Sequence, residues 1–176
     1  DYADLAPLAK EHGIPLYRIG QIDEKTIELI HGLTPDVIFV FGFSQLLPKA
    51  VLDIPPLGCI GTHPALLPVG RGRHPLIWAI INGLPESGLT FFYLDEKADS
   101  GDILWQRPFR IEWQDDAGTL YEKMCKLAEW GIAEFLPDLK AKTWGRRAQD
   151  HSKATYTRKR TEADGLIDWT MPVQQI

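Results

Sequence analysis

Apolar residues recur along this chain in two spacings, and the alternation between the two outlines a fold. Leu5, Leu8 and Ala9 share one face of a short helix ended by Gly13, and Ile14-Pro15-Leu16-Tyr17 follows as an extended segment. Asp23 is placed to cap a helix over Glu24 to His31, with Ile27 and Ile30 inward and Gly32 as its stop. Val37-Ile38-Phe39-Val40-Phe41 is a continuous apolar run of strand length, the pattern of a parallel strand covered on both faces. A short helix is expected from Pro48 to Leu52, and Cys59-Ile60 is a second buried strand that runs out at His63.

Past Pro75, Leu76 to Ile81 is apolar nearly all round and predicts a buried helix, with proline at its first position and Asn82-Gly83 as its stop. Leu89 to Leu94 and Ile103 to Ile111 are strands, the second with polar residues interleaved. Asp116 to Leu136 is the longest helix. Leu120, Met124, Leu127, Ile132 and Phe135 form its inward stripe, and Pro137 is expected to end it. After Trp144 the pattern dissolves into a polar, basic, linker-like stretch from Arg146 to Arg160. Helices alternating with strands predict an α/β protein with a mainly parallel sheet.

Composition changes this picture little. A chain of 176 residues with 44% hydrophobic content can bury one domain's core. Its net charge of -5 argues against a broad nucleic-acid-binding surface, which carries a basic excess. Cys59 and Cys125, isolated and in apolar contexts, predict buried thiols of a cytoplasmic protein rather than a disulfide or zinc framework. No apolar run has the length of a membrane span.

Candidate chemistry gathers in three loops that follow strands, where open α/β sheets bind ligands. Gly42-Phe43-Ser44-Gln45-Leu46-Leu47-Pro48 is either a pocket wall or a plain strand-to-helix connection. His63 stands at a strand end, on a loop whose Pro64, Pro68, Gly70 and Gly72 restrict its shape. Histidine is the side chain suited to moving protons near neutral pH. Arg71 and Arg73 flank Gly72, either solvated or poised to grip an anion, and His74 reads as a helix start. Asp95-Glu96-Lys97-Ala98-Asp99-Ser100-Gly101-Asp102 is an acidic turn. Within it, Asp99-Ser100-Gly101 would fix one carboxylate, 36 residues after His63, where it could stabilise a charged imidazole.

His63-Pro-x-Leu-Leu-Pro, Arg71-Gly72, Pro75, Trp78, Asn82-Gly83, Gly88-Leu89-Thr90 and Asp99-x-Gly101, in this order, resemble the 10-formyltetrahydrofolate-dependent formyltransferases. The resemblance runs from about Val37 to Trp169 and implies a Rossmann-like sheet with helices on both faces. In this chain that sheet would lack the family's first strand–helix–strand unit. A catalytic domain over residues 1–145 and a linker leading to a C-terminal domain over 146–176 are also implied, with both ends reading as cut. Pro172 to Ile176 would open a further helix.

The same resemblance implies His63 as general acid/base and Asp99 as the carboxylate that charges and orients it. Gln45, Leu46 and Leu47 would present backbone groups to the pterin of 10-formyltetrahydrofolate, with Asp95, Glu96, Lys97, Ala98 and Asp99 opposite. Arg73 would lie near the folate or the acceptor. One position departs from the pattern: the family's asparagine two residues before the histidine, a hydrogen-bond donor to the developing oxyanion, is Gly61 here. The implied reaction is attack of a primary amine on the formyl carbon.

Arg71 to Trp78 look most like the amino-sugar enzymes, so the expected acceptor is a small-molecule amine, a nucleotide-linked amino sugar. Methionyl-tRNA is the alternative, with nucleic acid less favoured by the acidic balance. A folate-binding paralogue without turnover and a hydrolase releasing formate are the other readings. A homo-oligomer is also expected as an option, because an absent first strand would leave apolar edges on Val37 to Phe41 and Cys59-Ile60.

Overall fold

The apolar run at 37–41 becomes strand β1 (Ile38–Val40), and the run before His63 becomes β2 (Cys59–His63), which pairs parallel to it with Ile38 opposite Cys59. The computed structural model describes residues 3–43 and 45–173 of the chain. Two helices precede β1. The first, α1 (Ala6–Glu11), has proline in its first turn; the second, α2 (Glu24–Gly32), is capped by the Asp23 carboxylate, which accepts from Thr26 N–H at 2.9 Å. Between β1 and β2 lies the short α3 (Lys49–Leu52). The expected inward face of α1 is not covered: Leu5 and Leu8 are exposed.

After β2 the chain forms a two-residue strand, β3 (Arg71–Gly72), then α4 (Pro75–Ile81), and returns as β4 (Glu86–Tyr93) and β5 (Ile103–Arg110). The sheet order is β1-β2-β4-β5. Parallel pairing holds at β1–β2, whereas β4 runs antiparallel to β2 and β5 antiparallel to β4. For β4 and β5 the reason is local. β4 and β5 are joined through a tight turn at 94–102, and a turn that short permits only an antiparallel pair. β4 also begins at Glu86, earlier than its apolar run suggests, because Glu86 to Gly88 pair with Arg110 to Pro108.

Helices cover both faces. On one, α5 (Ala117–Ala141) lays Phe135 and Leu139 on Ile60, Leu89, Phe91, Tyr93 and Trp105. The Phe91 and Phe135 ring centroids there are 4.9 Å apart in an edge-to-face arrangement. On the other, Ile27 and Ile30 of α2 and Val51 of α3 pack on Cys59. The alternation of β2 makes this possible, since Ile60 and Cys59 point to opposite faces.

Pro137 lies inside α5 and does not end it. A proline there forfeits one backbone hydrogen bond and costs roughly 3 kcal/mol in a helix interior. Leu139, buried to 1% exposure in the main core, anchors the turn beyond it. The helix closes at Lys142, a left-handed cap whose N–H donates to Leu139 O.

The stretch after Trp144 is bound to the fold rather than hanging from it. Arg147 bridges to Ile103 at the outer edge of β5, and β6 (Tyr156–Thr157) pairs parallel with β3. The apolar edge expected at Cys59-Ile60 does not exist, because β2 lies between β1 and β4. Among the described residues β1 is an edge strand. The expected helix opening at 172–176 falls largely on Gln174 to Ile176, which lie outside the described residues. No described helix is long and apolar enough to cross a membrane.

Candidate active site

The carboxyl ends of β1 and β2, the loop after β2 and the 94–102 turn close around a cavity of about 510 Å³. His63 is the last residue of β2, on the same face as Gly61 by strand alternation, and is 5% exposed. Its Nε2 lies 2.7 Å from the carbonyl oxygen of Gly70. A carbonyl can only accept, so Nε2 carries the proton and the lone pair of the neutral ring sits on Nδ1. Nδ1 faces Asp99 Oδ1 at 3.6 Å. The second carboxylate oxygen accepts from the Gly72 N–H at 2.8 Å. The two loops that the sequence separates by 36 residues are thus joined through one carboxylate.

Asp99 reaches this position from a left-handed backbone, φ 53°, which Asp and Asn tolerate better than other side chains. Gly101 makes the turn possible: a Cβ there would stand 1.8 Å from the Tyr93 carbonyl oxygen. Asp95 stabilises the same turn from within. Its carboxylate accepts from Lys97 N–H at 2.9 Å and lies 2.7 Å from Ser100 Oγ.

The loop after His63 rests on the side chains of Thr90, which stands in a motif of the resemblance but was given no role there, and of half-buried Gln106, which carried no signal in the sequence. Thr90, fully buried, donates through Oγ1 to Ala65 O at 2.7 Å, and Gln106 Nε2 donates to Leu67 O at 2.9 Å. These pairs satisfy backbone groups that an irregular loop leaves open. Arg71 is neither solvated nor turned to the cavity. It is 2% exposed and donates to Gln149 and Tyr156 behind the loop. His74, at the cap position of α4 with φ 56°, lines the cavity mouth.

Of the residues expected at the site, Gly61, His63, Gln45, Leu46, Leu47, Arg73, Asp95, Lys97, Ala98 and Asp99 all line the cavity. Glu96 does not line it and is exposed. Ser44, in the same loop as Gln45, lies outside the described residues. Phe92 and Leu94 supply an apolar wall that was not anticipated. Leu94 occupies the space in front of Gly61, where a Cβ would come within 2.7 Å of Leu94 Cδ2. Cys59, beneath the cavity, is a packing residue, its thiol pushed up to about 11 by burial.

Residues 6–136 match the sequence profile of the family described as Formyl transferase. The chain belongs to that family. A methionyl-tRNA formyltransferase of Citrifermentans bemidjiense is 41% identical over 170 residues, which are 96% of this chain and 54% of that protein. The chain therefore spans about half the length of such relatives.

Among solved structures, HypX from Aquifex aeolicus in complex with tetrahydrofolic acid superposes with a TM-score of 0.76 at 20% identity, covering 86% of this chain and 26% of that one. The formyltransferase PseJ from Anoxybacillus kamchatkensis superposes with a TM-score of 0.71 at 21% identity, covering 88% and 79%. Its structure is a complex with UDP-4,6-dideoxy-4-formamido-L-AltNAc and tetrahydrofolate. At those identities the likeness shows the fold, the Rossmann-like α/β arrangement of the formyl transferase family.

Proposed function

We propose that this protein transfers a formyl group from 10-formyltetrahydrofolate to a primary amine, with His63 as the proton carrier. The observation that carries the reading is the polarised imidazole: Nε2 committed to Gly70 O, Nδ1 facing Asp99 at 3.6 Å, both at the wall of the cavity. The cavity suits a pterin. Leu46, Leu47, Phe92 and Leu94 offer apolar surface to a flat ring, and the 95–99 turn offers polar groups to its edge.

When bound, the donor supplies the electrophilic formyl carbon. An attacking amine must lose a proton as its nitrogen bonds to that carbon, and Nδ1 is the ring nitrogen free to take it. The imidazolium so formed is flanked by Asp99, which stabilises its charge without taking the proton. The same proton then serves the departing folate nitrogen as the old carbon–nitrogen bond breaks. The Gly72 N–H and Gly70 carbonyl hold carboxylate and ring at fixed separation throughout.

For the acceptor, the 41% identity to a methionyl-tRNA formyltransferase across nearly the whole chain favours the amino group of methionyl-tRNA. The nucleotide-linked amino sugar expected from residues 71–78 is the second reading, supported by the likeness to a formyltransferase with a UDP-linked formamido sugar bound. Incubation with 10-formyltetrahydrofolate and each acceptor in turn, followed by mass spectrometry of the amine, separates them. N-formylmethionine is expected on the tRNA. A formylated sugar alone would reassign the acceptor, and formate released with no amine present would make the protein a hydrolase.

A further inference from the structure

We propose that Gln149 is a positioning residue for the His63–Asp99 pair, acting through a clamp on the backbone of the 99–101 turn. The inference rests on the formyl-transfer reading for its kinetic consequence but not for its geometry. Gln149 belongs to the polar stretch after α5 and is 5% exposed. Its Oε1 accepts from Arg71 twice, from Nε at 3.2 Å and from Nη2 at 2.6 Å. Its Nε2 donates to Asp99 O at 3.0 Å and Gly101 O at 2.6 Å.

The orientation of this amide is forced at both ends. A guanidinium can only donate, so the amide oxygen faces Arg71; two carbonyls can only accept, so the NH₂ faces the turn. Arg71 is itself immobilised, since Nη1 donates to Tyr156 Oη at 3.0 Å and Nη2 to His151 Nδ1 at 2.9 Å. A buried guanidinium is thereby held by neutral acceptors, and its charge polarises the amide that grips the turn.

The consequence falls on Asp99. Its left-handed backbone is unfavourable for a residue with a side chain, and the Nε2 clamp fixes the carbonyls on either side of Ser100 that define the turn. Thr155 restrains the other half of the pair: its Oγ1 accepts from Gly70 N–H at 2.8 Å, and Gly70 O is the acceptor for His63. Residues 149–155 therefore hold the imidazole's partner loop and the carboxylate's turn together. Displacement of such groups by about 1 Å costs on the order of 10²-fold in rate.

Gln149→Glu tests this. The carboxylate still accepts from Arg71 but cannot donate to the two carbonyls. The variant is expected to melt within a few degrees of the parent and to lose at least tenfold in kcat with 10-formyltetrahydrofolate and methionyl-tRNA. KM for the donor should stay within about twofold. The Gly72 amide proton, bonded to Asp99 in the parent, should move upfield and exchange faster in NMR spectra. Gln149→Met, similar in volume with neither hydrogen-bonding function, should behave alike.

A folded variant with parental kcat and an unmoved Gly72 amide overturns the proposal, as does failure of both variants to fold, which would make Gln149 a stability residue. The NMR readout requires no substrate. A parent that transfers no formyl group while its variants release the Gly72 amide would refute the function and leave the clamp.

Discussion

Gly61 and Leu94 form a pair in space that neither position announces alone. The side chain absent at 61 has been replaced by a leucine methyl 2.7 Å from where its Cβ would stand. Gly61→Asn should therefore destabilise the chain by roughly 1–3 kcal/mol through overpacking. It should gain little turnover, because Leu94 stands where the amide must go. Combining it with Leu94→Ala should recover part of the stability and raise kcat by tenfold or more, since one oxyanion donor is worth on the order of 10²–10³. Thermal melts and formyl-transfer rates of the two single variants and the double variant check this. A double variant no faster than Leu94→Ala would show that position 61 needs no donor here. That His63 and Asp99 meet at one cavity was legible in the sequence, where a motif fixed them. Arg71 was not. Its burial depends on Gln149 and Tyr156, far along the chain, and no local pattern distinguishes such an arginine from a solvated one.

At the scale of elements, the start of α5 shows how local chemistry fixes a boundary. Asp116 and Thr119 form a reciprocal cap, and Asp115 accepts from Lys123 Nζ at 2.5 Å and from the Glu112 N–H at 2.6 Å. The Lys123 ammonium and that N–H hold the Asp115 carboxyl at about 2, below its ordinary 3.8. A carboxyl lowered on folding adds stability that is complete above its unfolded value and is lost as pH falls from there through the folded one. The loss should lie between about pH 4 and pH 2. Asp115→Asn should flatten that part of the pH profile, read from urea melts at pH 3 and pH 6, while an unchanged profile would place the acid sensitivity elsewhere.

The end of α5 illustrates the opposite case. Pro137 signals a stop in any sequence reading, and burial of Leu139 overrides it. Strand direction was hidden for a similar reason. The apolar runs of β2 and β4 look alike, and only the tight 94–102 turn makes β4 and β5 antiparallel neighbours.

Across the whole molecule, the parts that hold the cavity come from four separate regions of the chain. Gly42, Phe43 and Gln45 to Leu47 supply part of one wall, the end of β2 with the loop after it the rest, the turn after β4 the other, and the 149–157 segment braces that loop and the turn from behind. Periodicity reveals the first three, since each follows a strand. The last looks like a linker because its ordering derives from single side chains, Gln149 and Thr155, and from two residues of β-pairing.

Formyl transfer in this cavity is proposed to run through the His63 imidazole. The most direct measurement is the single-turnover rate of formyl transfer from 10-formyltetrahydrofolate to methionyl-tRNA, compared between the parent and His63→Ala. His63→Ala should lose about 10²–10⁴-fold with donor binding retained. A His63→Ala protein that transfers formyl at the parental rate would contradict that proposal.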